Sequence, residues 1–322
     1  MLNVAWVVGT QAWHPAVRIS AALALRGTPV AMAKQTDNRL VAAFIDRTGR
    51  LEVAAVDGTG IWQAPIAIGD AVGQPGGAVT LAKPSSNQLS AAFIDKWGTL
   101  EVASVTGLGA WEGPSPVGGQ VGVPGSRVGL AHQSDGHFVN RLVAAFADNT
   151  GTLTVAMRNL NTGQWEQAPT TQGNPVTVPG GAVALAEQSA GFVTAALIDG
   201  NGVFNVAWAD RTGTWRLPVA VGGLCKPGAP VALAKQGDSH TDILTAGFLD
   251  SRGAFTIAWV VGNGAWNGPV AVSEPVSAPG GGVALANQYD NVFTAALMGN
   301  SRTLNVAWVV NNGSWHPPVP IS

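Results

Sequence analysis

Short apolar runs separated by turn residues follow one another along this chain in a fixed order, and the order recurs about every fifty residues. Each unit holds four runs. The first is alanine-rich and apolar at nearly every position, as in Val231 to Gln236, and it recurs at Val30 to Gln35, Val79 to Pro84, Val128 to Gln133, Val183 to Gln188 and Val283 to Gln288. The second and third are typified by Val41 to Asp46 and Leu51 to Val56, and the fourth opens on a tryptophan. A turn former closes each run before it reaches the length of about 10 residues that a helix needs, so the pattern predicts strands throughout. Four short strands per unit at this period predict an all-β fold, a β-propeller of six or seven four-stranded antiparallel blades.

The joins between runs carry their own chemistry. In five copies the second run ends in an aspartate with a glycine three residues on: Asp46 and Gly49, Asp95 and Gly98, Asp148 and Gly151, Asp199 and Gly202, Asp250 and Gly253. The carboxylate accepts a local backbone N–H and the glycine supplies φ > 0, which predicts a tight hairpin into the third run. A row of carboxylates also suggests metal or acid–base work, but one aspartate per hairpin is what turn chemistry alone requires. The fourth run is marked by Trp13, Trp62, Trp111, Trp165, Trp215, Trp266 and Trp315, each followed within a few residues by a proline, from Pro15 and Pro65 to Pro269 and Pro317. Proline is tolerated on a sheet edge and discourages edge-to-edge pairing, so this run is expected to be the outermost strand of its blade. Linkers such as Pro179-Gly180-Gly181 then carry the chain to the inner strand of the next blade.

The third and fourth runs occur seven times and the first two only six. Residues 1–20 are a half repeat that nearly duplicates residues 303–322, as Leu2-Asn3-Val4-Ala5-Trp6 and Leu304-Asn305-Val306-Ala307-Trp308 show. The chain thus reads as one propeller domain over residues 1–322. Its half repeat either completes a closing blade or is spare, and a spare one offers a docking surface for a second protomer in a homo-oligomer.

Composition narrows the function classes. Only 11% of the residues are charged and the formal net charge is −2. Nucleic acid and anionic membrane surfaces call for clustered Lys and Arg, so neither is an expected partner. The single cysteine, Cys225, excludes an intrachain disulfide and two-cysteine metal sites. No apolar run approaches the length of about 20 residues that spans a bilayer. Residues 1–9 lack the basic start and cleavage pattern of a signal peptide, which leaves cytoplasmic synthesis as the expectation, with any release by a non-classical route.

No constellation breaks the repeat in the way an enzyme site requires. The five histidines, His14, His132, His137, His240 and His316, form no triad by spacing, and Glu187, Asp238, Asp242 and Glu274 offer no ordered carboxylate pair. Phosphate-loop and calcium-loop patterns are missing, and no cofactor is expected. The repeated tryptophans remain. Each d-run indole can pack as core against the neighbouring blade, or form the floor of an inter-blade pocket on which the C–H face of a sugar stacks; one residue can do both. A second set, Trp6, Trp208, Trp259 and Trp308, stands in the third run where other repeats have Ala55, Ser104 and Met157. These are local packing choices or marks of the pockets that are competent. Gln35, Gln133, Gln188, Gln236 and Gln288 end the first run and suit either a hydrogen-bonded bridge between blades or a pocket rim.

The order of strand, strand, glycine turn, strand, glycine turn and tryptophan strand, seen in Leu40 to Val56 followed by Gly60-Ile61-Trp62, resembles the propeller lectins of insect-associated Photorhabdus and, more loosely, the fungal fucose-binding propeller lectins. The resemblance covers nearly the whole chain. It implies a non-enzymatic, multivalent lectin that takes fucose-like or galactose-like neutral sugars of glycans and glycoconjugates between blades, near the seven d-run tryptophans. The Arg and Glu clamp that the fungal lectins carry on their middle strands has no recurring counterpart in stretches such as Val41-Ala42-Ala43-Phe44. The alternative is a scaffold that binds protein partners through the faces of the propeller.

Overall fold

A computed structural model describes residues 2–6, 14–19, 23–36, 38–58, 60–189, 191–236, 242–289, 292–311 and 313–321. The described residues form 26 strands. They divide between two compact units, residues 1–132, 140–149 and 154–171 in one, and residues 133–139, 150–153 and 172–322 in the other.

The half repeat forms a two-stranded sheet of its own, β1 (Asn3–Trp6) against β2 (His14–Arg18). Blade 1 follows as β3 (Ala31–Thr36), β4 (Arg39–Ile45), β5 (Leu51–Val56) and β6 (Ile66–Ile68). Blade 2 holds β7 (Thr80–Ser85), β8 (Gln88–Ile94), β9 (Leu100–Thr106) and β10 (Glu112–Val117). Blade 3 holds β11 (Gly129–Ser134), β12 (Asn140–Ala147), β13 (Leu153–Asn159) and β14 (Trp165–Thr171). Blade 4 is β15 (Val183–Ser189), β16 (Phe192–Ile198), β17 (Phe204–Ala209) and β18 (Trp215–Gly222). Blade 5 is β19 (Val231–Gln236), β20 (Ile243–Leu249), β21 (Ala254–Val261) and β22 (Asn267–Pro275). Blade 6 is β23 (Val283–Tyr289), β24 (Val292–Met298), β25 (Leu304–Val310) and β26 (His316–Pro320). In every blade the four strands pair in chain order, so the proline-bearing strand lies on a sheet edge as its composition requires. Six such four-stranded antiparallel blades make the fold a β-propeller.

The period of two along each strand explains why the inner strands are apolar on both faces. On β4, Val41, Ala43 and Ile45 enter a core shared with Leu89, Ala91 and Phe93 of blade 2, while Ala42 and Phe44 point the other way, into a core with Leu2. On β8 the alternation repeats, since Ala92 and Ile94 join Leu142, Ala144 and Phe146 of blade 3. The same faces meet in the second unit, where Ile198, Phe204 and Val206 pack with Ala246 and Phe248. Burial of one such Phe side chain stabilises by about 1.5–3 kcal/mol, and a stacked blade needs this on two faces.

The hairpins between the second and third strands follow the turn chemistry. Asp46 Oδ1 accepts the N–H groups of Thr48 at 2.7 Å and Arg50 at 2.9 Å, and Asp95, Asp199 and Asp250 hold their turns in the same way. The turn glycine is needed twice over. Gly202 sits at φ +82°, and a Cβ there would lie 2.2 Å from the Cys225 carbonyl oxygen of the following linker. These carboxylates are therefore occupied in turns, and no group of three or more His, Cys, Asp or Glu among the described residues could hold a metal ion.

Candidate functional site

In blades 2, 4, 5 and 6 the turn into the fourth strand is held by a glutamine at the end of an earlier first strand. Gln188, at the end of β15, donates its Nε2 hydrogen to the carbonyl of Gly262 in the β21–β22 turn at 2.6 Å. Gln236 does the same to Asn311 in the β25–β26 turn at 2.6 Å, and in the first unit Gln35 donates to Gly107 in the β9–β10 turn at 2.6 Å. Gln133 donates to the carbonyls of Gly191 and Asp210. Gln35, Gln133, Gln188 and Gln236 are thus bridges between blades, one of the two roles their position allowed, and the side chain of Gln288 lies outside the described residues.

This tether brings the d-strand tryptophan onto the face of the preceding blade. Trp266 of blade 5 stands edge-on to Phe204 of blade 4, with ring centroids 5.7 Å apart and planes at 72°. Trp315 of blade 6 packs edge-on to Phe255 of blade 5 at 5.6 Å and to Phe293 at 5.9 Å. Trp111 rests on the core between blades 1 and 2, Trp165 on that between blades 2 and 3, and Trp62 on the core around Phe44. Trp62, Trp111, Trp165, Trp215, Trp266 and Trp315 are all half-buried, so each indole has a packed part and an open part. Trp13 lies outside the described residues.

Between blades 4 and 5 the open parts meet a cleft of about 440 Å³. Its walls are Trp208, Val206 and Val219 of blade 4, and the turn residues Asn263, Gly264 and Ala265 leading into Trp266 of blade 5, with Gln188 and Phe192 at one end. The two indoles come from the two sets that the repeat distinguishes, one from a third strand and one from the next blade's fourth strand. Trp259 and Trp315 share a core between blades 5 and 6 in the same way. The sequence gives the third-strand tryptophans two roles, and the structure makes Trp208 a wall of the cleft; the signal for it is the exchange of Trp for Ala55, Ser104 or Met157 between repeats. Beside these indoles the neighbouring d-strand residue varies. Asn267 pairs across from Trp259, Arg216 from Trp208, and the His316 ring stacks on Trp308 with centroids 4.7 Å apart.

Charge stands beside the cleft only at Arg216, the cross-strand partner of Trp208, among the residues described above. No ionisable side chain lines the cleft itself. Both ends of the Gln188 amide are engaged, Nε2 by Gly262 and Oε1 by the Thr194 hydroxyl. Asn263 Oδ1 accepts a 2.7 Å hydrogen bond from Ser189 Oγ, which leaves its Nδ2 as a side-chain donor at the cleft wall. Flat apolar rings with a few fixed polar groups suit a ligand with one C–H face and several hydroxyls. A second cavity, of about 360 Å³ and lined by Leu2, Leu25, Val30 and Phe44 among others, contains no tryptophan.

No family model and no curated protein sequence matches this chain. Among solved structures it is similar to the lectin BP39L from Burkholderia pseudomallei, with a TM-score of 0.91 and 30% identity over 99% of this chain and 92% of that one. An asparagine-to-glutamine point mutant of the Aleuria aurantia lectin in complex with Fucα1-6GlcNAc has a TM-score of 0.65 and 15% identity, covering 94% of this chain and 98% of its own. The SapL1 lectin in complex with α-methyl fucoside has a TM-score of 0.64 and 16% identity, covering 92% and 97%. The last two share the propeller fold; the first shares sequence along almost the whole length, and the chain belongs to the β-propeller lectin family that BP39L represents.

Proposed function

We propose that this protein is a multivalent carbohydrate-binding lectin that takes neutral sugar residues in clefts between adjacent blades, with the d-strand tryptophans as stacking floors. The observation that carries the reading is the cleft between Trp208 and Trp266, which is walled by indoles from two blades and lined by no ionisable side chain. The sugars named for the Aleuria and SapL1 structures make fucosides the first class to try, and galactosides the second. The reading includes no hydrolysis, because a glycosidase needs two carboxylates about 5 to 9.5 Å apart at the bond it breaks, and the cleft lining holds none. One shallow stacking site binds weakly. Several on one rigid chain raise avidity by about 10² to 10⁴ for a surface that displays many copies of the sugar.

A glycan array together with haemagglutination tests this. Agglutination inhibited by one free monosaccharide, and loss of array signal in a Trp208→Ala, Trp259→Ala double variant that stays folded, are the expected results. Silence across a broad array sinks the reading.

A further inference from the structure

The blade 1–blade 2 and blade 4–blade 5 seams agree in their tether and differ in the residues at the cleft-lining positions. Between blades 1 and 2 the tether is intact, since Gln35 holds Gly107 at the 2.6 Å that Gln188 keeps to Gly262. Trp111 packs at this seam as Trp266 does at its own. The position of Trp208, however, is taken there by Ala55, and the turn position of Asn263, three residues before the d-strand tryptophan, is taken by Leu108, whose side chain is 78% exposed. An exposed leucine gains nothing for the fold, so the exchange of Asn for Leu tracks the lining rather than the packing. Along the sequence, Asn occupies this turn position twice, at Asn263 and Asn312, and both follow a blade that carries the third-strand tryptophan, Trp208 and Trp259. Asn312 itself lies outside the described residues. The seams that follow Ala55, Ser104 and Met157 have Leu108, Thr162 and Thr212 there instead, and Trp6 of the half repeat is followed by Thr59.

Resting on the carbohydrate reading above, we infer that Asn263 is a specificity-determining donor of the blade 4–blade 5 cleft, positioned by Ser189, and that the equivalent seam between blades 1 and 2 is a blank that binds no sugar. The physical reason is a division of labour. Two indoles cover the C–H face of a pyranose, which supplies attraction without orientation. The Asn263 Nδ2 donor then selects a hydroxyl or ring oxygen at one position, and it is fixed for this because the Ser189 hydroxyl occupies Oδ1 at 2.7 Å. With Ala55 and Leu108 the first seam has one indole and no side-chain donor in these places. The valency of the lectin is therefore smaller than its number of repeats.

Crystals of the whole chain soaked in methyl α-L-fucoside, and in parallel in methyl β-D-galactoside, separate the outcomes. Expected is sugar density against Trp208, Asn263 and Trp266 and none against Ala55, Leu108 and Trp111. Equal density at both seams overturns this inference and leaves the carbohydrate reading standing; no density at any seam with either glycoside overturns both. In solution, Asn263→Asp keeps the acceptor for Ser189 and replaces the donor, so it should lower affinity at this cleft about tenfold with an unchanged melting temperature. An Ala55→Trp, Leu108→Asn double variant, checked for its native circular dichroism, should bind one more methyl α-L-fucoside per chain by native mass spectrometry. An unchanged affinity for Asn263→Asp, or an unchanged stoichiometry for the folded double variant, rejects the assignment.

Discussion

Thr194 gives its hydroxyl proton to Gln188 Oε1, which closes the circuit of an amide whose other end already holds the Gly262 carbonyl of the next blade. Thr245 stands in the same relation to Gln236. In two repeats where one member of the pair is exchanged, the other is stranded. In blade 2 the glutamine is Pro84, and the buried Ser90 hydroxyl has no partner among the described residues. Gln133 Oε1 is stranded likewise, in the repeat where the threonine position reads Val143.

This pairing predicts opposite signs for two similar substitutions. Thr194→Val leaves the Gln188 oxygen buried and unsatisfied and should cost about 1–3 kcal/mol. Ser90→Ala removes a hydroxyl that already lacks a partner and should be neutral or stabilising by about 1 kcal/mol. Urea unfolding of both variants checks the contrast, and equal losses would contradict it.

Glu101 on β9 gives the stability a pH dependence. Burial first, and the Asp95 charge second, push its carboxyl from 4.5 up to about 7, and Glu52 of blade 1 moves in the same direction from burial and Asp46. The folded protein therefore holds this proton more tightly than the unfolded chain. The stabilisation is complete below about 4.5 and is lost as the pH rises through about 7. At the matching position of blade 4 stands a neutral amide, and Asn205 Nδ2 donates to Asp199 Oδ2 at 3.1 Å. Glu101→Asn should thus raise the melting temperature at pH 8 and flatten its decline between pH 5 and pH 8, as scanning calorimetry at the two values would record.

The hairpin glycines should rank by the space around them. Gly202→Ala combines φ +82° with a Cβ 2.2 Å from the Cys225 carbonyl oxygen, and should cost more than about 2 kcal/mol. Gly136 has φ +77° and nothing within 4 Å of an added Cβ, so its alanine variant should lose only about 1 kcal/mol. Chemical denaturation of the two alanine variants compares them directly.

Cys225 should be silent in the native state. Burial, and then the Asp250 charge, push its thiol up to about 12, so almost no thiolate exists at pH 8. An aromatic disulfide reagent should label it only on the timescale of unfolding. Fast stoichiometric labelling of the native chain would show the linker after β18 to be open.

Much of this was legible in the sequence because it is local. The Asp and Gly of each hairpin, the prolines of the edge strand and the alanine-rich inner strand each declare their place within a single unit, and the structure puts Asp46, Gly49 and Trp62 where those signals indicate. The cleft was harder because it joins different units. Trp208 belongs to one repeat and Trp266 to the next, and no pattern within a repeat couples the two columns. Asn263 reads as an ordinary turn former until its offset relation to Trp208 is seen. The half repeat of residues 1–20 repeats the third and fourth runs faithfully, yet its role as a separate two-stranded sheet is set by pairing that a repeat count leaves undetermined.

A binding pocket whose opposite walls belong to neighbouring sheets exists only while those sheets stay seated on each other. Any molecule lodged between Trp208 and Trp266 therefore acts as a clamp on the stack, and its affinity and the resistance of this region to heat become two readings of one equilibrium. A simple melting curve taken with and without a glycoside can accordingly report occupancy, with no label and no immobilised glycan.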